Sequence, residues 1–435
     1  MLSYDSFLAT KAIRQHPILS SLMALAIALG IGSFMTIATI GYTIGKNPLP
    51  DKNDFLYRVQ LDAGDPNNQS DDPRNRPQQL TYRDATALMR AGAAWRQTAM
   101  FGTQGVVRPE NENLLPFEVT GRAVYSDFFE MFGAPFKFGG TWNHEADQDG
   151  NLVVVLSSQT SERLFGDEDS IGKHISLNEE LFLVIGVLDE WDLVPRVYDL
   201  SFSPIEEIFL PFSTAVNHEF RRVGNTNCWQ PAPPGREGFL ASECVWIQYW
   251  AELEDPSERD TYLSFLNSYV LEQKQFGRFQ RPLNNAIHTI DEWFTYVGGR
   301  DAGIIVIGVI ALLFFIVCLI NTIGLLLAKF LSRTRELAIH RALGASRREL
   351  FSRFLVEAGC IGLAGGLLGL LFTWLGLLGI RALLLGEDGV EHITQLDPLL
   401  TLLTFLLGIV SSVVTALYPA WRGCRDTPGV LLKGL

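Results

Sequence analysis

Residues Ala302 to Ala328, AGIIVIGVIALLFFIVCLINTIGLLLA, carry no charged side chain. A helix of this stretch is about 40 Å long at ~1.5 Å per residue, more than the ~30 Å hydrocarbon core of a bilayer. A chain crossing that core must satisfy its own backbone hydrogen bonds, which a helix does. Three further runs have the same character: Ile18 to Ile44, Phe354 to Ile380 and Leu399 to Ala420. The run Phe354 to Ile380 is interrupted only by Glu357. The fold class that follows is an α-helical membrane protein with four transmembrane helices and a large water-soluble insert between helices 1 and 2.

Working outward, Lys and Arg beside the spans set the orientation. The segment 329–353 carries Lys329, Arg333, Arg335, Arg341, Arg347, Arg348 and Arg353, the N-terminal stub carries Lys11 and Arg14, and the tail carries Arg422, Arg425 and Lys433. These three segments alternate with the spans and are placed in the cytoplasm. The insert and the loop 384–397 are placed outside. Lys11 and Arg14 before the first run also suit a signal peptide, but its length and the lack of a clear A-x-A site favour an uncleaved anchor. Trp293, Phe294 and Tyr296 before span two, Tyr42 after span one, and Tyr418 and Trp421 at the end of span four are read as headgroup-level aromatics.

The whole chain is 47% hydrophobic and 19% charged, yet has a net charge of −13, so apolar and acidic residues must be segregated. The acidity is concentrated in the insert. This balance excludes a basic nucleic-acid binder and a disordered chain. The insert alternates strand and helix signals and is read as α+β. A helix is predicted over 82–98 behind the Thr81-Tyr-Arg-Asp84 start signal. Strands are predicted over 152–156, 174–177, 181–188, 208–211 and 245–253, and helices over 157–165 and 257–276.

Cys228 and Cys244 are the cysteines of the insert; Cys318 and Cys360 lie in spans and Cys424 in the tail. In an oxidising compartment the first two are candidates to pair. There is no metal-ligand spacing, no G-x-x-x-x-G-K-[ST] phosphate loop and no G-x-S-x-G elbow, so no catalytic or metal site and no cofactor is expected on these residues. Glu357 lies four residues after Arg353, an acceptable helical ion pair at the membrane interface, and an acid without a membrane partner is a poor proton relay. In span three, Gly362-x-x-x-Gly366 and Gly365-x-x-x-Gly369 interleave, a spacing that allows close helix approach within a bundle or a dimer.

The cytoplasmic segment Leu331 to Leu350 is LSRTRELAIHRALGASRREL. Gly344-Ala345 breaks one short helix, and Ser346 with Glu349 starts another. The residues alone suit either docking onto a protein or lying on lipid headgroups. The run Arg333 to Ser346, with Asn321-Thr-Ile before it, resembles the signature of the FtsX-like permeases of MacB-type ABC transporters. The segments 121–142 and 153–188 resemble the MacB-type periplasmic core domain, and Tyr418 to Arg422 resembles the family's ending. Ala338 and His340 depart from it, where the family usually has Gly and a basic residue. The region 196–238 matches no pattern.

This resemblance implies a stand-alone, non-catalytic permease subunit of the bacterial inner membrane. Its organisation would be a cytoplasmic amphipathic helix (1–16), span one (17–45), periplasmic core (46–299), span two (300–328), coupling loop (329–351), span three (352–383), periplasmic loop (384–397), span four (398–421) and tail (422–435). Implied partners are an ABC ATPase dimer holding ATP and Mg, and a second permease subunit, identical or not. A periplasmic adaptor and an outer-membrane channel are left open. Arg333, Arg335, Glu336, Ile339, Arg341, Leu343, Gly344 and Ala345 would form the ATPase contact. The implied function is ATP-driven motion of the periplasmic domain for export or extraction; the alternative is a signal transmitter regulating an envelope enzyme.

Overall fold

The computed structural model describes residues 16–68, 72–109, 115–166, 169–191, 193, 195–200, 205–297, 302–332, 339, 346–383 and 398–425. The chain divides into two units: a module over residues 46–299 and a helical unit built from the segments on either side of it.

In the module, strands with two apolar faces are sandwiched between two cores. The strands are β1 (Leu56–Gln60), β2 (Leu80–Thr81), β3 (Arg96–Arg108), β4 (Phe117–Val124), β5 (Phe136–Gly139), β6 (Val153–Leu156), β7 (His174–Leu177), β8 (Glu180–Leu188), β9 (Ile208–Pro211), β10 (Arg221–Val223), β11 (Val245–Glu252) and β12 (Ala286–His288). The main sheet runs β12-β1-β11-β3-β4-β9-β6-β8-β5. The β4–β9 and β6–β8 pairs are parallel. Successive side chains of a strand point to opposite faces, and here both faces are dry. Ala99 and Phe101, Val154 and Leu156, Ile208 and Leu210, and Tyr249 join one core. Their neighbours Met100, Val155, Phe209 and Trp250 join the other. The β7–β8 hairpin turns at Asn178 and Glu179, with φ of 50° and 72°, the left-handed pair that a two-residue hairpin loop needs.

The predicted helix over 82–98 is shorter than expected. It spans Tyr82–Ala91 and stops at Gly92, which takes a left-handed conformation with φ 58°, as helix C-caps commonly do. The residues beyond it enter β3, a long central strand that pairs with β4 and β11. Strand pairing there outweighs the local helical spacing of Ala93 and Trp95. The predicted cap is present: the Thr81 hydroxyl accepts from Asp84 N at 3.1 Å.

Trp293 and Phe294 are buried in the module's second core rather than free to meet headgroups. They lie on the helix Ile290–Val297, whose inner face packs against the sheet. The Arg58 guanidinium stacks on the Trp293 ring at 4.9 Å.

The helical unit holds four long apolar helices, Pro17–Gly45, Ala302–Leu331, Arg347–Leu383 and Pro398–Arg425. The first packs against the other three. Half of its most apolar window is buried in the unit, against 22% for the second span, so the first is the central helix and the second the most open to lipid. Lipid tails provide no hydrophobic drive for helix association, so close backbone approach must hold the bundle. Gly362 and Gly366 face the fourth span: a Cβ at Gly362 would lie 2.6 Å from Ser412 Cβ, and one at Gly366 would lie 3.4 Å from Phe405 O. Gly365 and Gly369 face the first, where a Cβ would lie 3.0 Å from Ile27 Cγ2 and 3.1 Å from Ile31 Cγ2. The two interleaved motifs therefore serve two different neighbours inside one chain.

Candidate functional site at the loop-bearing end of the bundle

The cytoplasmic segment leaves the second span and returns through the third. Of the residues expected to contact an ATPase, Ile339 is described, and it is helical and exposed. Arg333, Arg335, Glu336, Arg341, Leu343, Gly344 and Ala345 lie outside the described residues. The return is sharply defined. Ser346 N–H donates to Glu349 Oε2 at 2.9 Å, and Glu349 N–H donates to Ser346 Oγ at 3.2 Å. This reciprocal pair satisfies two of the donors that a helix start leaves open.

Behind the loop sits a buried ion pair. Lys329 is fully buried, and its Nζ lies 2.5 Å from Glu357 Oε1 and donates to Ser20 Oγ at 2.8 Å. The Ser20 hydroxyl in turn donates a hydrogen bond to His16 O at 2.9 Å. Three spans thus meet at one ammonium. Phe330 and Phe354, with ring centroids 4.2 Å apart, pack beside it, as do Met23, Leu326 and Leu350. In such dry surroundings either charge alone would be strongly unfavourable.

Two expectations change here. Lys329, expected in the cytoplasmic segment, belongs to the second span and is buried in the bundle. Glu357 was placed at the interface beside Arg353, but it is buried against Lys329. The sequence signal was available: an acid inside a span calls for a partner, and Lys329 has apolar residues on both sides.

In the module, Cys228 and Cys244 are joined in a disulfide. The region 196–238, which matched no pattern, is tied to the core by Arg122. This buried arginine reaches Glu206 Oε1 at 2.7 Å, Asp199 Oδ2 at 2.6 Å and Gln248 Oε1 at 3.0 Å. Arg196 meets the other Glu206 oxygen at 2.9 Å. These contacts position a segment; they form no reactive constellation. Among the described residues no cluster of His, Cys, Asp or Glu is arranged to hold a metal ion.

Comparison with known proteins finds two family regions in the chain. Residues 20–259 match the MacB-like periplasmic core domain, and residues 308–428 match the FtsX-like permease C-terminal region. The chain belongs to the MacB/FtsX-like permease family. Its relatives include the macrolide export ATP-binding/permease protein MacB of Escherichia coli O6:K15:H31 (strain 536 / UPEC), 25% identical over 422 residues, which cover 97% of this chain and 59% of that protein. MacB of Escherichia coli strain K12 is 25% identical over 427 residues with the same coverage. The permease thus spans 59% of the length of these relatives. Among solved structures, the periplasmic region of MacB from Actinobacillus actinomycetemcomitans is similar over 58% of this chain and 98% of that chain, with 17% identity and a TM-score of 0.36. The permease is an ABC-transporter permease of the inner membrane, with four membrane-spanning helices and a large periplasmic core domain.

Proposed function

We propose that this permease couples ATP hydrolysis on a separate ATPase subunit to a conformational change of its periplasmic core, and so drives export or extraction of a substrate from the periplasm or the outer leaflet. The observation that carries this reading is the joint match to a MacB-like periplasmic core and an FtsX-like permease region, in the order one span, core, three spans. The MacB relatives are named as ATP-binding/permease proteins. In this reading ATP and Mg are held by the ATPase subunit.

In this reading an ATPase dimer docks on the cytoplasmic segment through Arg333, Arg335, Glu336, Ile339, Arg341, Leu343, Gly344 and Ala345. The arginines supply charge-assisted contacts, and Ile339 and Leu343 supply apolar anchors. Two permease subunits pair, and closure of the ATPases moves the second and third spans. The test is affinity purification from the native membrane in mild detergent, with mass spectrometry of what co-purifies. An ABC ATPase in roughly equal amount is expected, and a second, non-identical permease would identify a heterodimer. An intact native preparation without an ATPase would remove this reading and leave the loop on the headgroups.

A further inference from the structure

Lys329 and Glu357 stand at the two roots of the loop. The second span ends at Leu331, just past Lys329. The third begins at Arg347, so Glu357 lies about three turns, roughly 15 Å, along it. The third helix therefore runs past the pair toward the loop, while the second stops close to it. Force applied to the loop must pass the level of this pair before reaching the rest of the bundle.

An ion pair is an unfavourable way to fill that space, since apolar side chains of similar volume pack there without desolvation. What it adds is register. Apolar ridges can slide past one another by a turn, whereas a charge displaced by a turn is left alone in an apolar medium. Ser20 extends the constraint to the first span, the helix that packs against all the others.

We propose that Lys329, Glu357 and Ser20 form a clamp of positioning residues that locks the register of the second and third spans at the loop and ties both to the first, so that the three move as one body when the loop is pushed. This rests on the ATP-coupled reading above. The experiment uses the full chain in its co-purified complex. It reads three quantities: the amount of ATPase retained, the rate of ATP hydrolysis, and the ATP-dependent change in hydrogen–deuterium exchange of the periplasmic core.

Glu357→Gln and Lys329→Met are expected to retain the ATPase and its hydrolysis but to reduce the exchange response by about tenfold, within the range by which packed networks modulate coupling between distant sites. The exchanged pair Lys329→Glu/Glu357→Lys is expected to restore the response to within about threefold of the wild type, because the attraction is rebuilt with the two charges exchanged. An unchanged response in Glu357→Gln overturns the clamp. So does an exchanged pair that restores neither assembly nor response, which also decides the matter if the single variants fail to insert. A wild-type complex that hydrolyses ATP with no exchange response overturns the coupling reading instead, so the two failures are distinguishable.

Discussion

Buried charge is held differently in the two units. In the periplasmic core, Arg278 contacts both oxygens of Asp84 at 2.8 Å and both oxygens of Glu243 at 2.6 and 3.0 Å, and the Tyr269 hydroxyl donates to Asp84 at 2.7 Å. In the bundle, Lys329 has one carboxylate and one hydroxyl. A sheet with long connections brings polar groups to one point from distant parts of the sequence. Bilayer helices bury their backbone groups in their own hydrogen bonds and meet through glycines, so polar partners are few and each fixes more of the geometry. Arg58 shows a third arrangement. It is buried in the core with Nε and Nη1 lacking hydrogen-bond partners among the described residues; it is held by the rings of Trp293 and Trp250 and by one hydrogen bond, from Nη2 to Gln78 O at 2.7 Å. Burial holds its pKa down at about 9.

The largest expected effect separates these arrangements. Arg278→Met strands two carboxylates and should cost about 3–5 kcal/mol of stability in denaturant unfolding of the purified chain. Arg58→Met strands no carboxylate at hydrogen-bond distance, only the Gln78 carbonyl, and should cost less, about 1–2 kcal/mol. Equal losses would break the distinction between paired and ring-held arginines. Next in size, Cys228→Ser removes a link across a sequence separation of 16 and should lower stability by about 3 kcal/mol in the loop-entropy account. The same loss is expected on reduction of the wild type.

Within the bundle, Gly362→Val places a branched side chain against Ser412 and Gly408 and should cost about 1–3 kcal/mol. Gly359→Val meets no atom within 4 Å of its Cβ and should leave thermal stability in detergent nearly unchanged. If both behave alike, close approach is not what holds the bundle.

The smallest effect is a pH dependence. Burial, with Arg76 next in importance, pushes His288 down to about 4. Unfolded histidine takes up a proton below about pH 6.5, while the folded one resists until about 4, so stability should fall as pH drops through that window. Discounted for partial exposure, the loss is about 1–2 kcal/mol. His288→Gln should flatten that slope.

Much of this was legible from charge-free runs, which located the four spans, and from the cap residues Thr81 and Ser346. The long strands β3 and β4 were not. Residues Thr98 to Phe101 of β3 and Gly121 to Val124 of β4 are buried in succession, so no polar alternation marks those parts, and Ala93 and Trp95 continue the helical spacing past Gly92. Lys329 was misread because a basic residue at a span end usually faces headgroups, and only the third span's Glu357 shows otherwise. Trp293 was assigned to the membrane surface by proximity in sequence, whereas Arg58, far away in sequence, draws it into the core.

In the proposed function the cytoplasmic segment carries the ATPase. Leu343→Asp tests it most directly, because it puts a charge at an expected apolar anchor without touching a span. ATP hydrolysis and co-purification of the ATPase would be measured for the wild type and this variant at equal amounts of inserted protein. Normal insertion, loss of the bound ATPase and loss of ATP-dependent exchange in the periplasmic core are expected. Unchanged binding and response in Leu343→Asp would contradict that reading.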